Sequence, residues 1–418
     1  MFFSTTVALL AACLAVSSRA QKAPIPPDGK VVFGVWFDGT SATSDVSGND
    51  TAAQVNQRLG FNVGAFQAWQ SLPLKSPKAG VAPLSNPDGS FNFEAMFDDG
   101  TNAAIFLTIY PDELDVPDAE ILKLAQQCSS LAASTGRAIY LRFGAEMNGD
   151  WFVFGHKPAP FVALWKRAYA IFQKEAPQVA WVWSPNFNGP YNNYPYTEYW
   201  PGADVVDWVG ISLYWKGWTK DWPWHNNTLG PADYVAQVID AQGPEGGPTS
   251  IYREYAVKYN KPFVISECGA AFVLSVVADA NSTSVSPVDP GPGRTAIAMR
   301  FWNGFLFNQT FLAQYPLLKM VFQFEIFKLE DNANRDYRVS YDSDTVAAFQ
   351  DGLKTMDKAG VFVWADKAVS SVTTTSAVAT TGKASVVSTG APASSKSGAM
   401  GLMNRAVAIG TAISILFI

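Results

Sequence analysis

Eight short runs of β-branched and aromatic residues recur along the chain, and this repetition constrains the fold more than any other feature. Most of the runs are continuously apolar, which is typical of strands that are buried on both faces of a sheet. The predicted strands are Val31–Phe37, Asn62–Trp69, Ala103–Tyr110, Ala138–Gly144, Val179–Ser184, Val206–Tyr214, Pro262–Glu267 and Met320–Phe327.

Helical patterns fall between these strands. They are Asp118–Ser134, Phe161–Phe172, Tyr252–Tyr259, Thr295–Phe307 and Ser343–Lys358, with a short and less clear candidate at Phe91–Phe97. Eightfold alternation of strand and helix predicts an α/β fold, a (β/α)8 TIM barrel, over residues 21–367. A doubly wound open sheet is the alternative, but Asp38-Gly39-Thr40 matches its Gly-rich first loop poorly.

The two ends of the chain have a different composition from the middle. Residues 1–20 combine an apolar core with a small-residue cleavage pattern, although without a basic start, and predict a signal peptide. Residues 368–400 are rich in Ser, Thr, Ala and Val and predict a disordered stalk. Residues 401–418 end in an uncharged apolar segment, which predicts a GPI-anchor signal. We therefore expect a secreted protein at the cell surface or wall, attached to a membrane only through a lipid.

Other sequence features agree with this location and limit the partners. Four N-x-Thr sequons, at Asn49, Asn226, Asn281 and Asn308, predict glycosylation. Three cysteines give no disulfide framework, and two distant histidines give no zinc site, so we predict no metal site. The net charge of −6 is mild and argues against a nucleic-acid partner. We expect a monomer.

Two carboxylates carry the functional prediction. Glu146 lies at the close of the fourth predicted strand, and Glu267 ends the seventh. Barrel sites form at the C-terminal ends of the strands, so both side chains should reach one mouth. A carboxylic acid paired with a carboxylate suits the hydrolysis of a glycosidic bond. The alternative is that both are charges at strand ends that face solvent.

Four collinear motifs between residues 140 and 270 surround these acids. They are Arg142-Phe143 followed by Glu146-Met147-Asn148-Gly149 and Trp151, then Trp181–Asn186, then Trp200–Gly210 leading to Tyr214, and finally Ile265–Gly269. Together they resemble glycoside hydrolase family 26, which includes many β-mannanases and some β-glucanases and xylanases. The resemblance implies a (β/α)8 fold, retaining chemistry with Glu146 as acid/base and Glu267 as nucleophile, and no cofactor.

The chain departs from the family pattern at Ala145. The family commonly has a histidine there, which helps to orient the nucleophile. The departure suggests a divergent branch whose substrate is not necessarily mannan.

Supporting roles follow from position and from the resemblance. Arg142 shares its strand and facing with Glu146, so it could reach Glu267, or it could form a structural ion pair inside the barrel. Asn148 could bind a sugar hydroxyl or only make the turn after the strand. The resemblance implies that the Tyr214 hydroxyl bonds the nucleophile.

Fourteen tryptophans exceed ordinary usage and suggest flat surfaces for sugar rings. The residues predicted to bind substrate are Trp151, Trp183, Trp215, Asp38 and Glu325, and Glu325 is also an alternative catalytic acid. Trp218, Trp222 and Trp224 in the loop after strand six add to this supply, whereas Trp165 and Trp302 lie on helical patterns and suit the core.

The sequence therefore predicts a secreted retaining endo-glycosidase that hydrolyses a β-linked polysaccharide, either β-mannan or β-glucan. One alternative is a carbohydrate-binding or wall-structural barrel that has lost turnover, which Ala145 favours. Another is a cell-wall transglycosylase, in which a sugar replaces water as the acceptor.

Overall fold

The structure of the protein is a computed structural model that describes residues 22–39, 50–75, 86, 90–190, 194–278 and 284–368. The predicted signal peptide, the stalk beyond residue 368, the tail at 401–418, and the sequons at Asn49 and Asn281 lie outside the described residues.

Parallel strands form a closed barrel in which each strand pairs with its neighbours along the chain. The first seven are β1 (Val31–Phe37), β2 (Ala65–Leu72), β3 (Ala104–Pro111), β4 (Ile139–Phe143), β5 (Ala180–Trp183), β6 (Trp208–Trp215) and β7 (Phe263–Ala270). Two strands outside the barrel, β8 (Phe272–Val277) and β9 (Val285–Pro287), come next. The eighth barrel strand, β10 (Leu318–Glu325), pairs with both β7 and β1 and closes the barrel. The predicted (β/α)8 fold is confirmed.

Helices connect most of the strands. They are α1 (Ala52–Leu59), α2 (Phe93–Phe97), α3 (Asp118–Thr135), α4 (Pro158–Glu175), α5 (Tyr234–Asp240), α6 (Arg294–Gly304), α7 (Gln309–Gln314) and α8 (Ser343–Lys358). A π-helical turn, Tyr252–Val257, follows α5. Between β5 and β6 the described residues form two 3-10 turns, Thr197–Tyr199 and Ala203–Val205, where an ideal barrel has an α-helix.

The last helix shows how local sequence sets an element. Asp342 caps α8, because its side chain accepts a hydrogen bond from the Thr345 amide at 2.9 Å. Phe349, Leu353 and Met356 then recur at helical spacing and are buried against the barrel. The structural bounds of α8 coincide with the predicted ones.

The barrel strands bury side chains on both faces. A smaller cluster fills the interior and includes Val32, Phe106, Tyr140, Val182, Trp208, Val264, Met320 and Phe322. A much larger cluster lies between the strands and the surrounding helices. Burial on both faces explains why the strands read as continuous apolar runs, since neither face needs polar residues.

A small antiparallel sheet, called here the accessory sheet, extends the barrel beside β7 and β10. It consists of β8, β9, β11 (Phe327–Glu330) and β12 (Ala333–Asp336), in the order β11-β12-β8-β9. Because β8 follows β7 and β11 follows β10, the sheet lies at the C-terminal ends of these strands. A final short strand, β13 (Phe362–Val363), pairs with the start of β1. The accessory sheet was not predicted from the sequence.

Among the described residues, none of the helices has the length and apolar character needed to cross a bilayer.

Candidate active site

A sharp turn after β4 places Glu146. The strand ends at Phe143, and both Gly144 (φ 58°) and Glu146 (φ 55°) adopt the left-handed conformation. This conformation costs a non-glycine residue about 1–2 kcal/mol, and such strain is frequent at functional sites. The amide of Glu146 donates to the Ser184 carbonyl at 3.0 Å, which fixes the turn against the next strand.

A bulge in β7 places Glu267. Ile265 pairs with Ile211 on β6, whereas Ser212 on the same strand pairs with Glu267, so Ser266 is skipped. The pairing with β10 shifts in the same place. A bulge can turn two successive side chains to one face of a sheet. The Ser266 hydroxyl accordingly bonds the buried Ser184 hydroxyl at 2.9 Å, and Glu267 also faces the barrel interior, close to the mouth.

Both carboxylate oxygens of Glu267 accept hydrogen bonds. The guanidinium of Arg142 donates to one oxygen and forms a buried ion pair. The hydroxyl of Tyr214 donates to the other at 2.5 Å. Residue 145, the position of the family histidine, contributes nothing polar, because it is a fully buried alanine. Arg142 and Tyr214 therefore hold the carboxylate of Glu267 without a histidine.

Glu146 lies in the same electrostatic environment as Glu267. Burial raises the pKa of Glu146 above its ordinary value, and the nearby charge of Glu267 raises it further. Arg142 and hydrogen bonds from Ser212 and Asn186 act in the opposite direction. A carboxyl group with a raised pKa keeps its proton at higher pH, as a general acid requires.

Two tyrosine hydroxyls lie beside the glutamates at the mouth, and only one of them was predicted from the sequence. Burial, and then the charges of Glu267 and Glu146, raise the pKa of Tyr214 well above its ordinary value, so it remains a neutral donor. Burial and Glu267 have the same effect on the pKa of Tyr110 at the end of β3. Tyr110 was not among the predicted site residues, although its position at a strand end was a usable signal.

Two residues that the sequence interpretation did not assign link the acids to their surroundings. The Asn186 side chain donates to a Glu146 oxygen at 2.8 Å. The Ser212 hydroxyl accepts from the Arg142 guanidinium and bonds Glu146, so it connects the two halves of the site. Asn186 lies at the end of a quoted motif, whereas no sequence signal indicated Ser212.

The side chain of Asn148 bonds to loop backbone, which favours the predicted role in the turn over a bond to a sugar hydroxyl. Its amide nitrogen donates to the Asn186 carbonyl at 2.9 Å and to the Tyr194 carbonyl at 2.7 Å. Its oxygen accepts from the Asn186 amide at 2.8 Å. Asn148 is buried, and its polar atoms hold Asn186 in position for Glu146.

The structure corrects the assignment of Trp183 and Trp215 to substrate binding. Both are buried in the cluster between the barrel and its helices. The indole of Trp183 donates to the Tyr199 carbonyl at 3.0 Å, and that of Trp215 donates to the Thr228 carbonyl at 2.8 Å. Each follows a residue that faces the barrel interior, and alternation along a strand sends the next side chain outward.

The structure also corrects the two roles predicted for Glu325, substrate binding and alternative catalytic acid. It is 2% exposed. Its oxygens accept from the amides of Val339 and Ser340, from the Ser340 hydroxyl, and from the Gln323 side chain. A carboxylate surrounded by four donors holds the chain after the accessory sheet and offers no free lone pair to a sugar.

Trp151 and Asp38 remain accessible at the mouth. Trp151 is partly exposed, lies over Gly149, and meets the Tyr194 ring edge-on at a centroid distance of 5.4 Å. Asp38 directly follows β1 and is partly exposed. Their predicted contacts with substrate stay predictions. Within the described ranges, His, Cys, Asp and Glu side chains form no group suited to a metal ion.

A (β/α)8 barrel with two buried carboxylates at one mouth, one in the turn after its fourth strand and one on its seventh, has the architecture of a glycoside hydrolase. The family model of glycosyl hydrolase family 26 matches residues 84–270, a segment that contains both Glu146 and Glu267. Over this segment the chain is similar to that family.

Solved structures with the same fold are distant in sequence. An endo-β-1,4-mannanase double mutant from Cellulomonas fimi is 15% identical, has a TM-score of 0.50, and aligns over 78% of this chain and 71% of its own. An engineered protein is 15% identical, with a TM-score of 0.51 and coverage of 82% and 72%. A mannanase from Bacillus subtilis is 14% identical, with a TM-score of 0.45 and coverage of 78% and 87%. No curated protein sequence matches the chain.

Proposed function

We propose that the protein is a retaining endo-glycosidase in which Glu267 is the nucleophile and Glu146 is the acid/base. The observation that carries the proposal is the difference between the surroundings of two neighbouring carboxyl groups. Glu267 is ion-paired with Arg142 and bonded by Tyr214, which suits a group that reacts as an anion. Glu146 is buried with a raised pKa, which suits a proton donor.

The reaction proceeds in two displacements. Glu146 gives its proton to the glycosidic oxygen while a Glu267 oxygen attacks the anomeric carbon, so the leaving sugar departs and a glycosyl ester forms on Glu267. Glu146, now ionised, takes a proton from water, and the resulting hydroxide displaces Glu267 from the sugar. Each half reverses the stereochemistry, so the product retains the configuration of the substrate.

We propose a β-linked polysaccharide, β-mannan or β-glucan, as the substrate. The match to the model of glycosyl hydrolase family 26 and the likeness to the Cellulomonas fimi endo-β-1,4-mannanase support β-mannan. Ala145 argues that the pocket has diverged, so β-glucan stays in the comparison. Product analysis against mannan, mixed-linkage glucan, β-1,3-glucan and xylan oligosaccharides identifies the substrate.

Two other functions are separated by the same assay. A carbohydrate-binding barrel without turnover would bind one of these glycans and release no product, an outcome that Ala145 favours. A transglycosylase would instead produce oligosaccharides longer than the donor. The complete set of contacts to both glutamates supports the hydrolase over the binding protein.

Two substitutions test the roles of the glutamates. Glu267→Gln should abolish turnover and leave glycan affinity nearly unchanged, because the amide has the same shape but cannot form the glycosyl ester. Glu146→Ala should slow natural glycans far more than aryl glycosides with activated leaving groups, which need less proton donation. Equal losses on both substrate types would contradict the acid/base role.

We also propose that the barrel is exported and glycosylated at the cell surface or wall, where a lipid anchor holds it. Asn226 is exposed and can accept a glycan. Asn308 is partly buried, and its side chain caps α7 by accepting from the Phe311 amide at 3.1 Å. Peptide mapping of the protein from its natural source, with sugar sought on Asn226, tests this location.

A further inference from the structure

An indole that is unusually exposed lies beside the barrel mouth. Trp222 is 56% exposed, whereas the tryptophans of the barrel strands β5 and β6 are buried. Tryptophan is enriched at binding interfaces, because its large flat ring supplies much contact area. The loop that carries Trp222 follows β6, the strand of Tyr214, and so it emerges at the end of the barrel that holds the two glutamates.

A continuous row of contacts connects Trp222 with the site. The Trp222 ring meets the Trp224 ring edge-on, with centroids 4.6 Å apart. The Lys216 ammonium lies 5.7 Å from the Trp224 ring and 5.8 Å from the Tyr214 ring. Tyr214 in turn donates to Glu267. Trp222 is therefore the outer end of a row that begins at the reacting carboxylate.

The backbone beneath Trp222 is fixed to the accessory sheet. The guanidinium of Arg335, which is fully buried, donates to the Pro223 carbonyl at 2.8 Å. The ring of His225 bonds the Asp331 carbonyl at 2.6 Å, and the Trp224 indole donates to the Trp218 carbonyl at 2.8 Å. An exposed ring on an ordered backbone loses little conformational entropy when a ligand covers it.

We propose that Trp222 forms a distal subsite that stacks on a pyranose unit of the same glycan chain, several units away from the bond that is cleaved. The proposal rests on the proposed glycosidase function and adds a determinant of substrate length. The flat indole offers a π-face to the C–H groups of a sugar ring, as aromatic side chains do in other ligand sites. Its separation from Glu267 by Tyr214, Lys216 and Trp224 means that only long chains reach it.

Binding to the Glu267→Gln protein tests the subsite without turnover. The probes are mannotriose, mannohexaose, cellotriose and cellohexaose, measured by calorimetry. In this background Trp222→Ala should weaken binding of the bound hexasaccharide about tenfold, since an aromatic contact contributes up to about 1.5 kcal/mol. Binding of the matching trisaccharide should change by less than about twofold. Trp222→Phe should recover most of the loss, because a smaller aromatic face remains.

Leu329→Ala is the matched control, because Leu329 is an exposed apolar residue of the accessory sheet and lies outside the row. It should leave both affinities unchanged. An equal loss for the trisaccharide and the hexasaccharide, or no recovery in Trp222→Phe, would overturn the distal subsite and leave the glycosidase proposal intact. Failure of the Glu267→Gln protein to bind either hexasaccharide would overturn the distal subsite for β-1,4-linked mannan and glucan, whereas the product analysis decides the glycosidase proposal separately.

Discussion

At the scale of the residue, the pKa of Glu146 depends on the hydrogen-bond donors around its carboxylate. Burial and Glu267 raise its pKa, and the amide of Asn186 partly offsets this rise by donating to the ionised form. Asn148 holds Asn186 through the Asn186 backbone, so the side chain of Asn186 can be removed without breaking that contact. The pH at which Glu146 loses its proton is therefore open to a direct test.

Asn186→Ala should move the alkaline limb of the pH profile to higher pH. Loss of a donor to the carboxylate removes a hydrogen bond that lowers the pKa of Glu146, so the protonated acid persists as the pH rises. The measurement is kcat/KM against pH for the wild-type protein and for the variant. Asn334→Ala, which removes a side-chain bond to Ser275 in the accessory sheet, is the control. An alkaline limb that stays in place or moves to lower pH would contradict this account of Glu146.

Site residues could be predicted from their positions at the ends of strands. They could not be predicted where the direction of a side chain had to be known. Arg142, Glu146, Tyr214 and Glu267 meet at one mouth, as their positions indicated. The prediction that Trp183 binds substrate was wrong, because a continuously apolar strand does not indicate which of its residues face inward. The bulge at Ser266 changes which face of the sheet the following side chains point to. No turn residue or glycine at that point of the sequence indicates the bulge.

At the scale of the element, buried ion pairs help to hold the strands β11 and β12 of the accessory sheet. Glu330 lies 2.8 Å from the Lys328 ammonium and 3.2 Å from that of Lys216, and it also accepts from the Tyr337 hydroxyl. The Tyr337 ring contacts the Tyr214 ring at 5.2 Å. Two short strands that are rich in charge, such as β11 and β12, lack the alternating pattern from which strands are recognised. Their absence from the sequence prediction has this physical cause.

Glu330→Gln should lower the free energy of unfolding by about 3 kcal/mol at neutral pH, because it leaves buried cations without their counter-charge. Burial alone would raise the pKa of Glu330, but Lys216, Lys328 and Arg335 hold it below its ordinary value. The wild-type advantage should therefore be complete above the unfolded pKa of about 4.3 and decrease as the pH falls toward the folded pKa. Urea unfolding at several pH values measures it.

Leu329→Ala again provides the control, since an exposed neighbour on the same strand should change stability by no more than about 0.5 kcal/mol. Equal stability of Glu330→Gln and the wild-type protein at neutral pH would show that the ion pairs contribute nothing net to the accessory sheet.

At the scale of the whole molecule, the order of the barrel strands was predictable because each of them is mostly apolar and buried. Predicted and observed bounds differ by a few residues, as with Met320–Phe327 against Leu318–Glu325. The helices α1, α5 and α7 were not predicted, because short helices carry little periodic signal. Closure of the barrel follows from packing inside it, which no single segment of the sequence encodes.

The barrel interior provides the last prediction. Gly34 on β1 pairs with Phe322 on β10, and a Cβ atom at Gly34 would lie 2.4 Å from the Phe322 ring. That ring packs on Phe106 from β3, with centroids 4.5 Å apart. The missing side chain on the first strand thus makes room for a ring of the last strand that fills the centre. Gly34→Ala should lower the free energy of unfolding by about 1–3 kcal/mol through overpacking.

A double-mutant cycle separates this mechanism from a general loss of strand stability. Phe322→Leu alone should be destabilising, because it leaves space beside Phe106. In the Gly34→Ala background the smaller side chain should relieve the clash, so the double variant should be more stable than the sum of the two losses by about 0.5–3 kcal/mol. Chemical denaturation of the four proteins measures this coupling. Strictly additive losses would mean that the first and last strands pack independently, and that Gly34 has no part in closing the barrel around Phe322.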